Sequence, residues 1–127
     1  MTSTIVFVTD FPDAATAAQE ITPSGFELAV VAAHSQEYKD ALKDSSYLVG
    51  FVDSLVDDEL FETGPNLKLI QLLSAGYDRA DIEAARKAGV PIANNGGANS
   101  VAVSEHAVLL MLAVSRQLVR QHTSVAA

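Results

Sequence analysis

The sequence predicts an α/β fold: a doubly wound, five-stranded parallel sheet followed by one long helix. Three observations carry this. Five short β-branched runs alternate with helical stretches along 127 residues, the order that βαβ units produce. The runs are apolar nearly throughout rather than alternating, as in strands covered on both faces. The last stretch, from Asn99 or Ser100 to about Gln121, contains neither glycine nor proline, so it allows one helix of roughly six turns.

The elements follow in order. Thr4–Val8 reads as the first strand and Ala14–Ile21 as the helix after it. Glu27–Val31 and Leu48–Val52 are the second and third strands, with a helix over Gln36–Lys43 between them. Asp57–Glu62 is a short helix whose acidic start complements the positive end of a helix dipole. Leu67–Leu72 is the fourth strand and Arg79–Ala88 the next helix, with Gly89 as its C-cap and Pro91 placed where a helix has ended. Val90–Ala93 completes the sheet. Right-handed crossovers then favour strand order 2-1-3-4-5, the flavodoxin-like arrangement.

The expected division is a flavodoxin-like domain over residues 1–98, an interdomain or hinge helix over 99–122 and a tail over 123–127. The hinge helix is apolar around nearly its whole circumference from Ala107 to Val114. One reading makes it a core helix of this domain; the other makes it a bridge that packs against a second body as well.

Charge and composition exclude several classes. The net charge is −8, the wrong sign for a nucleic-acid footprint. Residues 1–98 hold 6 Lys/Arg against 15 Asp/Glu, while residues 99–127 hold two Arg and one Glu. With no cysteine there is no disulfide framework, thiolate metal site or cysteine nucleophile. Three scattered histidines have no ligand spacing, so no metal is expected. The N-terminus lacks the basic and apolar regions of a secretory signal, and the apolar run Ala107–Val114 falls far short of the ~20 residues of a membrane span. A cytoplasmic protein without a membrane partner is expected.

In open α/β sheets ligands bind outside the carboxyl ends of the strands. Asp10–Asp13, Asp53–Ser54, Ser74–Asp78 and Asn94–Ser100 all meet that edge. Ser74-Ala75-Gly76 reads in two ways: as a tight turn into the next helix, or as a concavity of unshielded N–H groups that takes an anion. Asn99 and Ser100 are both good N-cap types. Tyr77 is expected to face the core, with a pocket wall as the other reading. Glu105 and His106 point about 100° apart on a helix and make no dyad. Arg116 and Arg120 read as a polar stripe, and His34 and His122 as surface residues.

The order of an apolar strand, SAGYD, a helix with Asp81 near its start, GVPIAN and GANSVAVSEHA spans about forty residues from Leu67. It resembles the D-isomer-specific 2-hydroxyacid dehydrogenase family, which includes phosphoglycerate, glyoxylate/hydroxypyruvate, formate and phosphite dehydrogenases. The resemblance implies the N-terminal substrate-binding (catalytic) domain of an oxidoreductase that interconverts a D-2-hydroxy acid and a 2-oxo acid with NAD or NADP. It implies substrate-carboxylate contacts from the main chain of Ala75 and Gly76, then Ser74. Asn99 falls at the cleft mouth, towards substrate, and Ser100 where some members touch the nicotinamide cofactor. The family's proton-transferring histidine, its carboxylate partner and its substrate-binding arginine lie downstream, so no catalytic residue maps onto this chain.

The chain reaches Ala127 before any G-x-G-x-x-G, since Gly96-Gly97 is followed by Ala98-Asn99. The NAD-binding Rossmann domain is therefore expected to be absent from it and the isolated chain to be inactive. The expected partners are a small 2-hydroxy or 2-oxo acid, that missing domain, and a second copy docked through the apolar helix 101–119. Two alternatives use the same fold. A receiver-like phospho-signalling module would use Asp10, Asp13, Asp53 and Ser74, but has Asn94-Asn95 where it needs a lysine. A stand-alone regulatory domain would dimerise through the apolar helix.

Overall fold

The computed structural model describes residues 3–126; Met1, Thr2 and Ala127 lie outside the described residues. The chain divides into two compact units, one ending at Gly96 and one beginning at Gly97.

The first unit holds a five-stranded parallel sheet in the order β2-β1-β3-β4-β5. Its elements are β1 (Ser3–Val8), α1 (Pro12–Ile21), β2 (Phe26–Val31), α2 (Gln36–Leu42) and β3 (Ser45–Gly50). A single 3-10 turn (Asp53–Leu55), α3 (Asp58–Thr63), β4 (Leu69–Leu72), α4 (Ile82–Ala88) and β5 (Ile92–Ala93) complete it. The doubly wound fold and its strand order are as the sequence predicts.

Side-chain capping sets where α2, α3 and α4 start. The Ser35 hydroxyl accepts from the Tyr38 amide (3.0 Å), Asp57 Oδ1 from Leu60 (2.8 Å) and Asp81 Oδ1 from Ala84 (2.9 Å). Each satisfies an amide that the first turn leaves without a helical partner. The Asp81 cap explains why α4 starts at Ile82 rather than at Arg79. Gly89, at φ 69°, closes that helix in the left-handed region as expected. Strand bounds shift for similar local reasons. β3 starts earlier than its apolar run because Ser45, fully buried, is satisfied by donating to the Leu42 carbonyl (3.0 Å). β5 is short because the Val90 amide turns back to Ala85 and Pro91 has no N–H to give the ladder.

The core lies on one face of the sheet. Val6, Leu48, Ile70 and Leu72 are buried against Tyr38 and Leu42 of α2, Leu60 of α3 and Ala85 of α4. The opposite face, with Ile5, Phe7, Val49 and Leu73, meets α1 across an apolar groove of about 420 Å³. Coverage of both faces, as the apolar runs imply, is therefore incomplete. Burial along β4 alternates between half-buried and buried, because α1 alone serves the second face.

The second unit is helical. One helix is expected over 99–122, but the structure has two, α5 (Ser100–Ser115) and α6 (Leu118–Ala126). Their axes differ by 62°. Gln117 sits in the left-handed region at φ 49°, and no local glycine or proline accounts for the break. The tail expected at 123–127 is helical as far as Ala126. α5 buries none of its residues. Leu109, Met111 and Leu112 are among eleven large apolar side chains exposed between Val101 and Val125. Among the described residues no single helix is long and apolar enough to cross a membrane; α5 and α6 reach that length and composition only as a bent pair.

Candidate functional site

The sheet register brings three strand ends into line. Val8 pairs with Gly50, and Gly50 with Leu72, so the segments after β1, β3 and β4 leave the carboxyl edge side by side. The segment after β4 carries Ser74, Ala75 and Gly76 and is tied down from both sides. On the β3 side, the Leu73 amide donates to the Gly50 carbonyl (2.9 Å). On the β5 side, the Asn95 amide donates to the Ser74 carbonyl (2.9 Å) and Asn94 Nδ2 to the Ala75 carbonyl (2.7 Å). Within the turn, the Ser74 hydroxyl donates to the Gly76 carbonyl (2.7 Å).

All three carbonyls of Ser74-Ala75-Gly76 thus accept a bond, while among the described residues the Ala75 and Gly76 amides donate none. Ser74 and Ala75 are half-buried and Gly76 is exposed. A half-buried N–H without an acceptor is costly unless something supplies one. Oriented amides of this kind suit an anion.

The second feature of this edge is an ion pair that spans 26 residues of sequence. Arg79 Nε and a terminal nitrogen meet the two oxygens of Asp53 at 2.9 and 2.7 Å. Asp53 is buried while Arg79 reaches solvent. The Arg79 hydrogen bond, above all, holds the Asp53 carboxyl below the usual carboxylate range, against the cost of burial. A lowered carboxyl contributes stability above the ordinary value of 3.8 and loses it as pH falls through the lowered value. Asp53→Asn is therefore expected to lower the urea midpoint at pH 7, with parent and variant converging below pH 3.8. A constant gap between the two in acid would sink this account. Both Asp53 oxygens accept from Arg79.

The other expected site residues lie in the second unit. Asn99 is the residue before α5, but its side chain makes no capping bond, so the N-cap reading does not account for it. Ser100 is the first residue of α5; its amide reaches the Gly97 carbonyl (3.2 Å) and its carbonyl accepts from Ser104 Oγ (2.7 Å). Tyr77 is 53% exposed rather than core-facing; the buried tyrosine is Tyr38. A cavity of about 220 Å³ beside Tyr38 is also lined by His34, Leu42, Asp57, Glu59 and Leu60. Burial, then Asp57 and Glu59, push the Tyr38 phenol up to about 12, so it stays protonated at neutral pH. His34, His106 and His122 are exposed, and no metal-ligating cluster occurs among the described residues.

Sequence reasoning finds the turn at 74–76 but misses the bond from Asn94 that holds it and the nearby Asp53–Arg79 pair. The only sequence signal for Asn94 is position, directly after the end of β5.

A family model for the D-isomer specific 2-hydroxyacid dehydrogenase catalytic domain matches residues 5–126. The chain belongs to that family. Among curated relatives of this dehydrogenase domain, glyoxylate reductase from Thermococcus litoralis is 39% identical over 80 residues, covering 63% of this chain and 24% of the relative. D-3-phosphoglycerate dehydrogenase from Archaeoglobus fulgidus is 39% identical over 70 residues, 55% of this chain and 13% of the relative. The domain thus spans a quarter or less of the length of these relatives. Aquifex aeolicus D-lactate dehydrogenase, solved with NAD and lactic acid, superposes with a TM-score of 0.81 at 23% identity, over 95% of this chain and 36% of that one. Formate dehydrogenase from Staphylococcus aureus, solved with NAD, gives 0.76 at 24% identity, over 94% of this chain and 40% of that one. At those identities the likeness speaks for the fold.

Proposed function

We propose that this chain is the substrate-binding part of an oxidoreductase that interconverts a D-2-hydroxy acid and a 2-oxo acid by hydride transfer with NAD or NADP. One observation carries the proposal beyond family membership. At the strand edge where α/β sheets bind ligands, the Ser74-Ala75-Gly76 turn offers amides with no internal acceptor. A substrate carboxylate accepts from Ala75 and Gly76, with Ser74 forming the wall beside it. Asn99, whose side chain makes no capping bond, is assigned to the substrate on the family resemblance. Ser100 faces the cofactor; its exposed hydroxyl fits a polar contact of that kind.

When bound by a second domain, the nicotinamide supplies the hydride. This chain's own part is to hold the acid by its carboxylate and fix which face of the reacting carbon is presented. The proton-transferring residues belong to the cofactor domain, and the 127-residue chain alone binds the acid without turning it over. The domain organisation that goes with this is a substrate domain over 1–98 joined to the cofactor domain through the hinge that starts at 99. The enzyme works in the cytoplasm as a homodimer, with α5 as part of the contact.

The test is a titration of the ¹⁵N-labelled chain with oxalate, a small dicarboxylate related to the proposed substrates. The Ala75 and Gly76 amide signals are expected to move furthest and to saturate together. Shifts spread over the surface, or centred elsewhere, would count against the assignment.

A further inference from the structure

We propose that Asn94 is a positioning residue for the substrate carboxylate: its side-chain amide fixes the peptide plane that aims the Gly76 N–H at the ligand. This rests on the carboxylate-binding role given to the 74–76 turn.

The argument is one of peptide geometry. A trans peptide is planar, so the carbonyl of one residue and the N–H of the next point in opposite directions. Holding a carbonyl therefore aims the following amide. The Ser74 carbonyl is held by the Asn95 amide (2.9 Å), which turns the Ala75 N–H away from the β5 side. The Ala75 carbonyl is held by Asn94 Nδ2 (2.7 Å), which turns the Gly76 N–H the same way. Two adjacent amides thus project from the same side of the turn, as a two-oxygen anion requires.

The two restraints differ in kind. The first comes from the main chain and persists with any residue but proline at 95. The second is a side-chain bond, and nothing else among the described residues holds the Ala75 carbonyl. Gly76 gives the 75–76 peptide unusual freedom to rotate once that bond is gone. Asp78 adds a reason for the restraint. Its carboxylate lies close enough that a Cβ built on Gly76 would sit 3.4 Å from Oδ2, and it offers a free Gly76 peptide a competing acceptor. Asn94 is exposed and lies outside the core, so its loss removes aim without removing packing.

Two variants separate these effects. Asn94→Asp keeps the shape but not the donor, and Asn94→Ala removes both. Each is expected to bind oxalate about three- to tenfold more weakly than the parent, the range of one net hydrogen bond. The Gly76 amide signal should shift and broaden without ligand, while the thermal midpoint stays within about 2 °C, as for a surface change. Equal affinity in parent and variants would overturn the role of Asn94 and leave the carboxylate reading intact. An affinity lost only in step with the thermal midpoint would make Asn94 a structural residue and overturn the proposal too. An absence of shifts at Ala75 and Gly76 in the parent would instead remove the carboxylate reading, and this inference with it.

Discussion

Gly50→Ala is expected to destabilise the sheet severely, although it adds a single methyl group. Gly50 ends β3 at φ 153°, a conformation that side chains rarely adopt. A Cβ built there lies 2.7 Å from the Val8 carbonyl oxygen, 3.2 Å from Val8 Cβ and 3.1 Å from Val52 Cγ1. The first contact is to backbone held in the β1–β3 ladder, so it has no flexible side chain to push aside. Backbone strain and overpacking together are expected to cost about 2–4 kcal/mol. That corresponds to a fall in melting temperature of about 10–20 °C for a domain of this size. The Gly50 carbonyl also accepts from Leu73, the residue before the candidate site. Oxalate affinity should therefore fall even at temperatures where the variant remains folded. A melting temperature within about 3 °C of the parent would show that the strand end yields easily, and would refute the account.

The second large effect is expected in assembly. Leu109 and Leu112 are 54% and 57% exposed and lie three apart on α5, on one side of the helix. Burying a leucine against a partner contributes about 1.5–3 kcal/mol. Replacing both by glutamate removes that gain and adds two charges at the contact. The dissociation constant of the proposed homodimer should rise by at least about a hundredfold. In sedimentation at micromolar concentration the parent should run as a dimer and the Leu109→Glu/Leu112→Glu variant as a monomer. A parent that sediments as a monomer would remove the homodimer from the proposal and leave the substrate domain unchanged.

Much of the fold is legible in the sequence because its signals are local. Apolar runs of four to six residues separated by capped helices leave few topologies open, and right-handed crossovers select one. Gly89 closes α4 through contacts within a few residues, so its role is read from spacing alone, whereas the Asp81 cap moves the start of α4 from Arg79 to Ile82. The misreadings have a common cause. Tyr77 carries an apolar ring, which points to the core in sequence, but burial depends on what packs over the residue, and it remains 53% exposed. The final helix shows an unbroken propensity from Ser100 to Gln121, yet it turns at Gln117 in a unit that buries none of its residues.

The site divides along the same line. The SAGYD turn and its place after a strand are sequence properties; it is the whole forty-residue order around them that resembles the family, and the resemblance nominates Ala75 and Gly76. What makes the turn usable is the direction of its amides. That is set by Asn94 and Asn95, 19 and 21 residues away from the carbonyls they hold. The sequence by itself determined the doubly wound order and the presence of a small-residue turn, because propensity, capping and periodicity act within a few residues. Only the tertiary structure decided which carbonyls are occupied and which amides are left, because parallel pairing aligns strand ends that the chain keeps about twenty residues apart.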